Sequence, residues 1–383
     1  MTHTHPVIGD KSGFSECPDR PDRLAAMRRR GLTVVLGALL AVLLLFAIGQ
    51  VKVPYVVESA GPTVDTLSAV DDQGEVCTPG APGASASCHD VISVTGGPAA
   101  TKSDGQLRLV TVNVQSSTDL VSVIRGWWSD EEAVVPYELL YPPDATREEI
   151  DQQGQEDFKN SQSSAETVAL RELGYPVRIA VENVVAGGAS DGRLKPGDVI
   201  DTVDGTAVTS NGKLLELIQA KPAGSTLKIG VTRDKTPTTV EVTTKPASAT
   251  DDTPRVGIEV KTEQPHPFTL NIKLDDIAGP SAGLMFTLGI IDKLKPEDLT
   301  GGKVIAGTGT IDDEGNVGPI GGIPQKLYGA KAAGAKIFLT PAANCEEAKA
   351  NALPGLPLAK VSTLQDALAA LATVRAGGQP PSC

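Results

Sequence analysis

The chain has 383 residues, 40% of them hydrophobic, so it is long and apolar enough for two or three domains with their own cores. That composition excludes a disordered protein. The formal net charge at pH 7 is -13, and beyond residue 31 the chain holds 28 Lys and Arg against 43 Asp and Glu. Such an acidic surface repels a phosphate backbone, which excludes nucleic acid as a partner.

The first element in chain order is an uncharged apolar stretch of 18 residues, LTVVLGALLAVLLLFAIG, at positions 32–49. As a helix it would be about 27 Å long, close to the thickness of the bilayer hydrocarbon. We therefore expect a transmembrane helix over residues 32–50. Three arginines precede it and only Lys52 follows closely, which predicts a cytoplasmic segment at 1–31 and places the rest of the chain outside the cytoplasm.

A cleaved signal peptide is the alternative reading of this stretch. Ala47 and Gly49 are small enough to mark a cleavage site. The apolar stretch is longer than the hydrophobic region of a usual signal peptide, which favours an uncleaved anchor in the cell membrane.

Four cysteines follow the predicted span, and Cys17 precedes it. An even number of outer cysteines favours disulfides in an oxidising compartment. Cys77 and Cys88 flank the short loop TPGAPGASAS, so we expect them to pair with each other. Cys345 is then expected to pair with Cys383, which leaves no outer thiol to act as a nucleophile.

Two kinds of local pattern fill the region between the span and residue 174. Residues 54–115 hold short β-prone pieces separated by turn formers, which predicts strands. Residues 118–174 are predicted to be mainly helical. The last helix is expected over SSAETVALRELG, where Ser163 and Glu166 form a capping-box pattern at its start.

Residues 177–246 form a different unit, with strand-like pieces around a short predicted helix at 211–219. The run GRLKPGDVIDTVDG at 192–205 matches the pattern G-x-L-x-x-G-D-x-I-x-x-V-x-G, and on this run the unit resembles a PDZ domain. The resemblance implies a domain over 175–247 that binds extended peptides by strand addition. A PDZ unit that serves only as a spacer is the alternative.

The resemblance also implies where protein or peptide ligands bind. The groove is expected between residues 177–183 and the helix at 211–219. The segment LGYP at 173–176 is the candidate for the loop that binds a terminal carboxylate, although it matches the G-L-G-F pattern of the family only loosely. The groove residues implied are Gly174, Tyr175, Val177, Ile179, Leu214 and Leu217.

The sequence DDIAGPSAGLMFTLG at 275–289 places Ser281 at the start of an apolar, helix-like run. Ser281 can be a helix N-cap, because a serine oxygen accepts hydrogen bonds from the first helical N–H groups. It can also be a nucleophile, because the same N–H groups and the helix dipole would stabilise an oxyanion. A nucleophilic serine needs a base, so the rest of the chain decides between the two hypotheses.

Lys326 is the candidate base, in the first turn of a helix that is predicted to begin near Pro324. A lysine can accept the proton of a serine if burial lowers its pKa by roughly 3 units, which is within the range that burial achieves. The alternative is an ordinary exposed helix lysine. Lys331, among the alanines of GAKAAGAK, fits that description better.

Two linked motifs resemble the proteolytic domain of the Lon family. GPSAG at 279–283 matches its serine motif, PIGGIPQK at 319–326 matches its lysine motif, and a Thr-Gly pair begins at Thr308 between them. The resemblance implies that Ser281 is the nucleophile and Lys326 the general base of a Ser-Lys dyad. It further implies that backbone N–H groups at the serine hold the oxyanion, with Gly279, Ala282 and Thr308 close to the site.

The Lon-like pattern extends over two segments, 53–174 and 253–383. We therefore expect an α/β (α+β) proteolytic fold with the PDZ domain inserted between its two halves. Together with the span, most of the chain resembles the bacterial membrane-anchored PDZ-Lon-like serine proteases of the YlbL type. Lon-type domains commonly form rings, so a homo-oligomer is a further expectation.

The sequence departs from the Lon pattern at two acidic positions. Ala278 stands before the serine motif, where the pattern has Asp, and Thr310 follows the Thr-Gly pair, where it has Glu. Asp275 and Asp276 lie nearby but out of register. These departures concern the tuning of the dyad rather than its presence.

The function expected is that of a single-span, ATP-independent serine endopeptidase whose PDZ domain presents substrates. No G-x-x-x-x-G-K-[S/T] motif occurs, and no cofactor or metal site is expected. Only His89 and His266 lie beyond the span, which argues against a Ser-His-Asp triad. The alternative function is a catalytically silent PDZ scaffold that binds peptide C-termini at the membrane.

Overall fold

A computed structural model describes residues 32–43, 47, 51–71, 75–81, 85, 87–97, 103–116, 118–274 and 277–383. We number strands β1–β21 and helices α1–α9 in chain order. The described part of α1, residues 32–43, is helical and exposed. The predicted segment 1–31, most of the rest of the predicted span, and the pair Asp275 and Asp276 lie outside the described residues. Within the described residues, no helix combines the length and the hydropathy needed to cross a bilayer.

The larger sheet, sheet A, is built from two segments that lie far apart in the sequence. Its strand order is β21–β20–β17–β6–β1–β7, in which the first four strands are parallel and β1 runs antiparallel to both of its neighbours, β6 and β7. The parallel pairing of β6 with β17 joins residues 106–109 to 304–307. The strands are β1 (Tyr55–Asp65), β6 (Gln106–Gln115), β7 (Ala133–Pro136), β17 (Val304–Gly307), β20 (Ile337–Pro341) and β21 (Leu358–Val361).

The core beside sheet A is organised around one helix, α6. All of its residues from Gly283 to Lys293 are buried, because the run is apolar on nearly every face and other elements surround it. The helix α4 packs against it. The helices of this part are α2 (Leu120–Trp127), α3 (Tyr137–Leu140), α4 (Arg147–Glu172), α6 (Gly283–Leu294), α7 (Ile323–Ala332), α8 (Cys345–Ala350) and α9 (Leu364–Arg375), and a 3₁₀ turn covers Ala342–Asn344.

The start of α4 differs from the sequence prediction. The helix begins at Arg147, where Thr146 and Glu149 form a reciprocal capping box, and it runs for 26 residues. Ser163 therefore lies inside the helix and caps nothing. The S-x-x-E pattern there is incidental, because the T-x-x-E pattern at 146–149 already satisfies the free N–H groups at the true start.

A second sheet, sheet B, forms from the residues between the two segments of sheet A. Its strand order is β12–β11–β9–β8–β15, with the short β10 paired to β9. The helix α5 (Asn211–Gln219) lies at the predicted position. The strands are β8 (Arg178–Val184), β9 (Val199–Val203), β10 (Thr206–Ala207), β11 (Thr226–Arg233), β12 (Thr236–Thr243) and β15 (Ile258–Glu263).

Sheet B extends beyond the predicted domain boundary at residue 247. The strand β15 pairs antiparallel with β8, from Ile258 opposite Val184 to Glu263 opposite Arg178. The sequence interpretation assigned β15 to the segment 253–383 instead. The physical reason is that β8 has a buried apolar centre, so the backbone groups on both of its edges need partners, and β9 and β15 supply them.

Four small pairings complete the described strands. One is the three-stranded set β3–β2–β4, and the others are the pairs β5–β16, β13–β14 and β18–β19. Their bounds are β2 (Ala69–Val70), β3 (Val76–Cys77), β4 (His89–Asp90), β5 (Ile92–Thr95), β13 (Lys245–Ser248), β14 (Asp251–Arg255), β16 (Thr269–Ile272), β18 (Thr310–Ile311) and β19 (Val317–Gly318).

Both predicted disulfides are present. Cys77 is bonded to Cys88, and Cys345 is bonded to Cys383. The second bond holds the C-terminal tail along the outer edge of β21, where the Lys360 N–H donates to the Pro381 carbonyl at 2.9 Å. The tail thereby covers an edge strand that would otherwise be open.

We expect the second disulfide to stabilise the fold more than the first. The Cys345–Cys383 bond closes a separation of 38 residues and the Cys77–Cys88 bond one of 11. Loop-closure entropy then gives about 4 and about 3 kcal/mol respectively. Urea unfolding of the two double Cys→Ser variants measures both, and a larger loss for the Cys77/Cys88 variant would contradict the expectation.

Candidate active site

Ser281 lies in a turn at residues 279–282, the serine turn, directly before α6. The N-cap of α6 is Ala282, and no side chain caps the helix. The hydroxyl of Ser281 has no hydrogen-bond partner among the described residues. The helix-cap hypothesis for this serine is therefore not supported, and its hydroxyl is available for other chemistry.

The serine turn is held in place by α4. Gly279 adopts a φ of +87°, a conformation that favours glycine, and its N–H donates to the carbonyl of Gly154 at 2.8 Å. The hydroxyl of Ser161 donates to the carbonyl of Pro280 at 3.0 Å. Both bonds attach the turn to one long helix, so Ser281 is presented from a rigid element.

Lys326 lies in the first turn of α7 and is 4% exposed. Burial lowers the pKa of its ammonium from 10.5 to about 8, and the negative charge of Glu58 opposes that shift. The burial depends on a close approach between α7 and β6. A Cβ at Gly322, just before the helix, would lie 2.5 Å from Cγ2 of Val112, so that position requires glycine.

Thr308 connects the two candidate catalytic residues. Its hydroxyl donates to the backbone carbonyl of Ser281 at 3.0 Å, and it accepts a hydrogen bond from Nζ of Lys326 at 3.3 Å. The N–H of Gly309 donates to the same carbonyl at 2.9 Å. The end of β17 therefore fixes the serine turn and the lysine side chain relative to each other.

Ser281 and Lys326 line one open cavity of about 660 Å³, which we call the serine cleft. One wall is the serine turn with Ile277 and Ala278, and the opposite wall is β6. Beyond Leu109, β6 is paired only with β1, so one edge of residues 110–115 has no strand partner among the described residues. The other lining residues are Glu58, Pro62, Leu140, Gly321 and Gly322.

The serine turn also presents unused hydrogen-bond donors. Among the described residues, the backbone N–H groups of Ser281, Ala282 and Gly283 donate to no acceptor. They lie at the N-terminal end of α6, where the helix dipole adds positive potential. This arrangement suits a developing negative charge on an oxygen atom beside Ser281.

A second cavity of about 470 Å³ lies between α5 and β15, and we call it the apolar groove. The edge of β15 that faces away from β8 has no strand partner among the described residues. The cations Lys245 and Arg255 lie in the lining. The apolar lining includes Val185, Leu214, Leu215, Ile218, Val256, Ile258 and Val260.

The predicted groove residues of the helix and of the strand differ in whether they line this cavity. Leu214 lines the cavity, whereas Leu217 packs against the core of sheet B. Ile179 is fully buried on β8, whose edges are covered by β9 and β15. The groove therefore runs along β15 instead.

The remaining predicted groove residues lie elsewhere. Val177 packs against the core of sheet B, and Gly174 follows the end of α4 with a φ of +88°. Tyr175 packs edge-on against Phe268, with ring centroids 5.5 Å apart. The LGYP segment thus joins α4 to sheet B and does not contribute to the groove lining.

Two elements that line these cavities were given no role in the site by the sequence prediction. The strand β15 begins within the segment RVGIEV at 255–260, in which a glycine precedes alternating apolar residues, and this pattern is a local signal for a strand. Glu58 lies 223 positions before Ser281 in the chain, and no local pattern connects the two. Among the described residues, no group of His, Cys, Asp and Glu is arranged to hold a metal ion.

Comparisons with known proteins give two family matches. Residues 272–373 match the model of the Lon protease (S16) C-terminal proteolytic domain, and residues 154–244 match the model of the PDZ domain. The chain therefore combines a Lon-type proteolytic domain with a PDZ domain, which is the composition of a PDZ-Lon protease. A PDZ domain implies peptide binding.

Individual relatives cover parts of the chain. The Lon protease of Koribacter versatilis is 30% identical over 120 residues, which are 30% of this chain and 14% of that protein. Lon protease 2 of Bacillus subtilis is 37% identical over 94 residues, 24% of this chain and 16% of that protein. The chain thus matches less than a fifth of the length of either. The solved PDZ domain of the SdrC-like protein from Listeria monocytogenes is 24% identical, covers 21% of this chain and 85% of that one, and has a TM-score of 0.20.

We expect Thr308→Val to lower kcat by about 10-fold to 100-fold, because it removes the oxygen that holds Nζ of Lys326 beside the serine turn. The value of KM should change little, because Thr308 does not line the serine cleft and so does not contact the bound peptide. Thr308→Ser, which keeps the hydroxyl, is the matched control. Steady-state kinetics on one unstructured peptide measures both, and a wild-type kcat in the valine variant would show that the bridge is dispensable.

Proposed function

We propose that the protein is a membrane-anchored, ATP-independent serine endopeptidase that uses Ser281 and Lys326 as a dyad. The observation that carries this proposal is that one cleft is lined both by a serine whose hydroxyl has no hydrogen-bond partner among the described residues and by a buried lysine. A purely structural role does not explain a buried lysine at this position, because each unit by which burial lowers the pKa of the ammonium costs about 1.4 kcal/mol.

The reaction follows from the positions of these groups. The neutral amine of Lys326 accepts the proton of the Ser281 hydroxyl as the oxygen attacks the peptide carbonyl carbon. The carbonyl oxygen becomes an oxyanion, and the free N–H groups of Ser281 and Ala282 stabilise it. The ammonium of Lys326 then gives its proton to the leaving amine, and water cleaves the acyl-enzyme by the same route.

The substrate is an extended peptide segment. The open edge of residues 110–115 on β6 offers main-chain hydrogen bonds to such a segment along the serine cleft. A folded substrate would have to expose a flexible stretch first. ATP independence rests on the sequence, in which no G-x-x-x-x-G-K-[S/T] motif occurs.

The membrane anchor is proposed from residues 32–49, because an uncharged apolar stretch of this length suits a single span. The arginines before it favour a cytoplasmic N-terminus and extracytoplasmic C-terminal domains. The two disulfides agree with that location, since such bonds persist in oxidising compartments. A ring-shaped homo-oligomer stays a prediction.

The PDZ domain is proposed to present substrates through the apolar groove. A peptide would add to the open edge of β15, with its side chains against Leu214, Leu215 and Ile218 of α5. Lys245 and Arg255 supply positive charge for a terminal carboxylate.

We expect Ser281→Ala to abolish peptide hydrolysis and Lys326→Ala to lower it by about 10²-fold to 10⁴-fold. Lys331→Ala, an exposed position on the same helix, is the control and should keep wild-type turnover. In the wild type, kcat/KM should rise with pH and reach half its maximum near pH 8, because only the neutral amine of Lys326, whose pKa is about 8, accepts a proton. Turnover in the Ser281→Ala variant would refute the dyad, whereas a wild type without any turnover would leave the PDZ scaffold as the function.

We expect Leu215→Asp to weaken peptide binding to the PDZ domain at least 10-fold, because it places a charge in the apolar groove. Gln219→Asp adds the same charge at an exposed position of α5 outside the lining and is the control. Titration of a fluorescent peptide with a free C-terminus into the full chain measures both affinities. Equal affinities in the two variants would place the peptide elsewhere.

A further inference from the structure

Glu58 is a charged side chain in the serine cleft that the dyad chemistry does not use. It lies on β1, between Val114 of β6 and Ala133 of β7, and it is half-buried. Among the described residues that line the cleft, Glu58 and Lys326 alone carry charge. No described residue forms a hydrogen bond or an ion pair with Glu58.

The carboxylate is retained at a cost. A carboxylate that is partly removed from water and lacks a partner destabilises the folded state. Burial raises the pKa of Glu58, and only the positive charge of Lys326 counters that shift. No described residue of the free protein therefore offsets the full desolvation cost of the Glu58 carboxylate. This is expected of a charged group that pairs with a bound ligand.

Glu58 also acts against the proposed base. Its negative charge favours the protonated form of Lys326, whereas attack by Ser281 needs the neutral amine. On the β6 wall of the serine cleft, the polar side chains Thr111 and Asn113 are uncharged. The described residues of the serine-turn wall carry no charge either. A cation brought in beside Glu58 would neutralise this effect.

We propose that Glu58 forms a specificity subsite for a Lys or Arg side chain of the substrate, and that this cation frees Lys326 to act as the base. The proposal rests on the proposed function and names a class of substrate for it. A positively charged segment lying along β6 pairs with the carboxylate, and the pairing removes the field that held the proton on Lys326. A basic substrate residue thus promotes its own cleavage.

The test uses the full chain and a set of unstructured fluorogenic peptides. One neutral parent peptide is compared with variants that carry Lys, or Glu, at each position from four residues before to four after the scissile bond. In the wild type, we expect Lys at one position to raise kcat/KM by about 10-fold or more, and Glu there to lower it.

Variants at Glu58 separate the subsite from other causes. With Glu58→Gln, the ratio of kcat/KM for the Lys peptide over the parent should fall to about one. With Glu58→Lys, the preference should reverse towards the Glu peptide, a gain that misfolding cannot produce. Glu138→Gln removes the same charge from an exposed position on α3 outside the lining and should keep the wild-type ratio.

The pH profile distinguishes this role from a structural one. The pH profile of kcat reports groups in the enzyme–substrate complex. Its midpoint in the wild type should lie at lower pH for the Lys peptide than for the parent, and Glu58→Gln should abolish that difference. An undiminished Lys preference in Glu58→Gln, or wild-type turnover without any charge preference, would overturn the subsite. If the wild type cleaved none of the peptides faster than Ser281→Ala does, the proposed function itself would be overturned.

Discussion

The burial of Lys326 is the constraint on which the rest of the site depends. An exposed lysine keeps its proton at neutral pH, whereas burial lowers the pKa of Lys326 to about 8 and makes a neutral amine accessible. That burial needs the first turn of α7 to approach β6, which Gly322 permits because a side chain there would collide with Val112. It also needs the serine turn beside the amine, and Thr308 meets this need by bonding to both Lys326 and the carbonyl of Ser281.

Contacts across the molecule connect the apolar groove with the proteolytic part. Ser210, the N-cap of α5, donates a hydrogen bond to the carboxylate of Glu314, and Ser164 of α4 donates to Asp313 at 2.7 Å. Both acidic residues lie in the turn between β18 and β19. The helix that flanks the groove and the helix that holds the serine turn therefore contact the same turn. The apolar groove and the serine cleft therefore share this turn as a structural neighbour.

Two local motifs each selected one candidate catalytic residue, and the structure brings the two residues into one cleft. The patterns around Ser281 and Lys326 contain the glycines and the helix starts that present each side chain, and both residues line one cleft. The short helix at 211–219 was predicted at its observed bounds, since a polar cap precedes an apolar repeat. The sequence placed the groove beside β8, whereas the apolar groove lies beside β15, because only the pairing of these two short strands shows which one keeps an open edge.

The sequence by itself determined the local chemistry: the serine and lysine motifs, the cysteines that form the disulfides, the acidic surface and the apolar stretch before residue 50. Only the tertiary structure decided how separate segments combine. The pairing of β6 with β17 joins residues 106–109 to 304–307 in one sheet, and Glu58 lines the same cleft as Ser281. The physical reason is that burial, desolvation and open strand edges arise between segments distant in the chain, so no pattern within one segment records them.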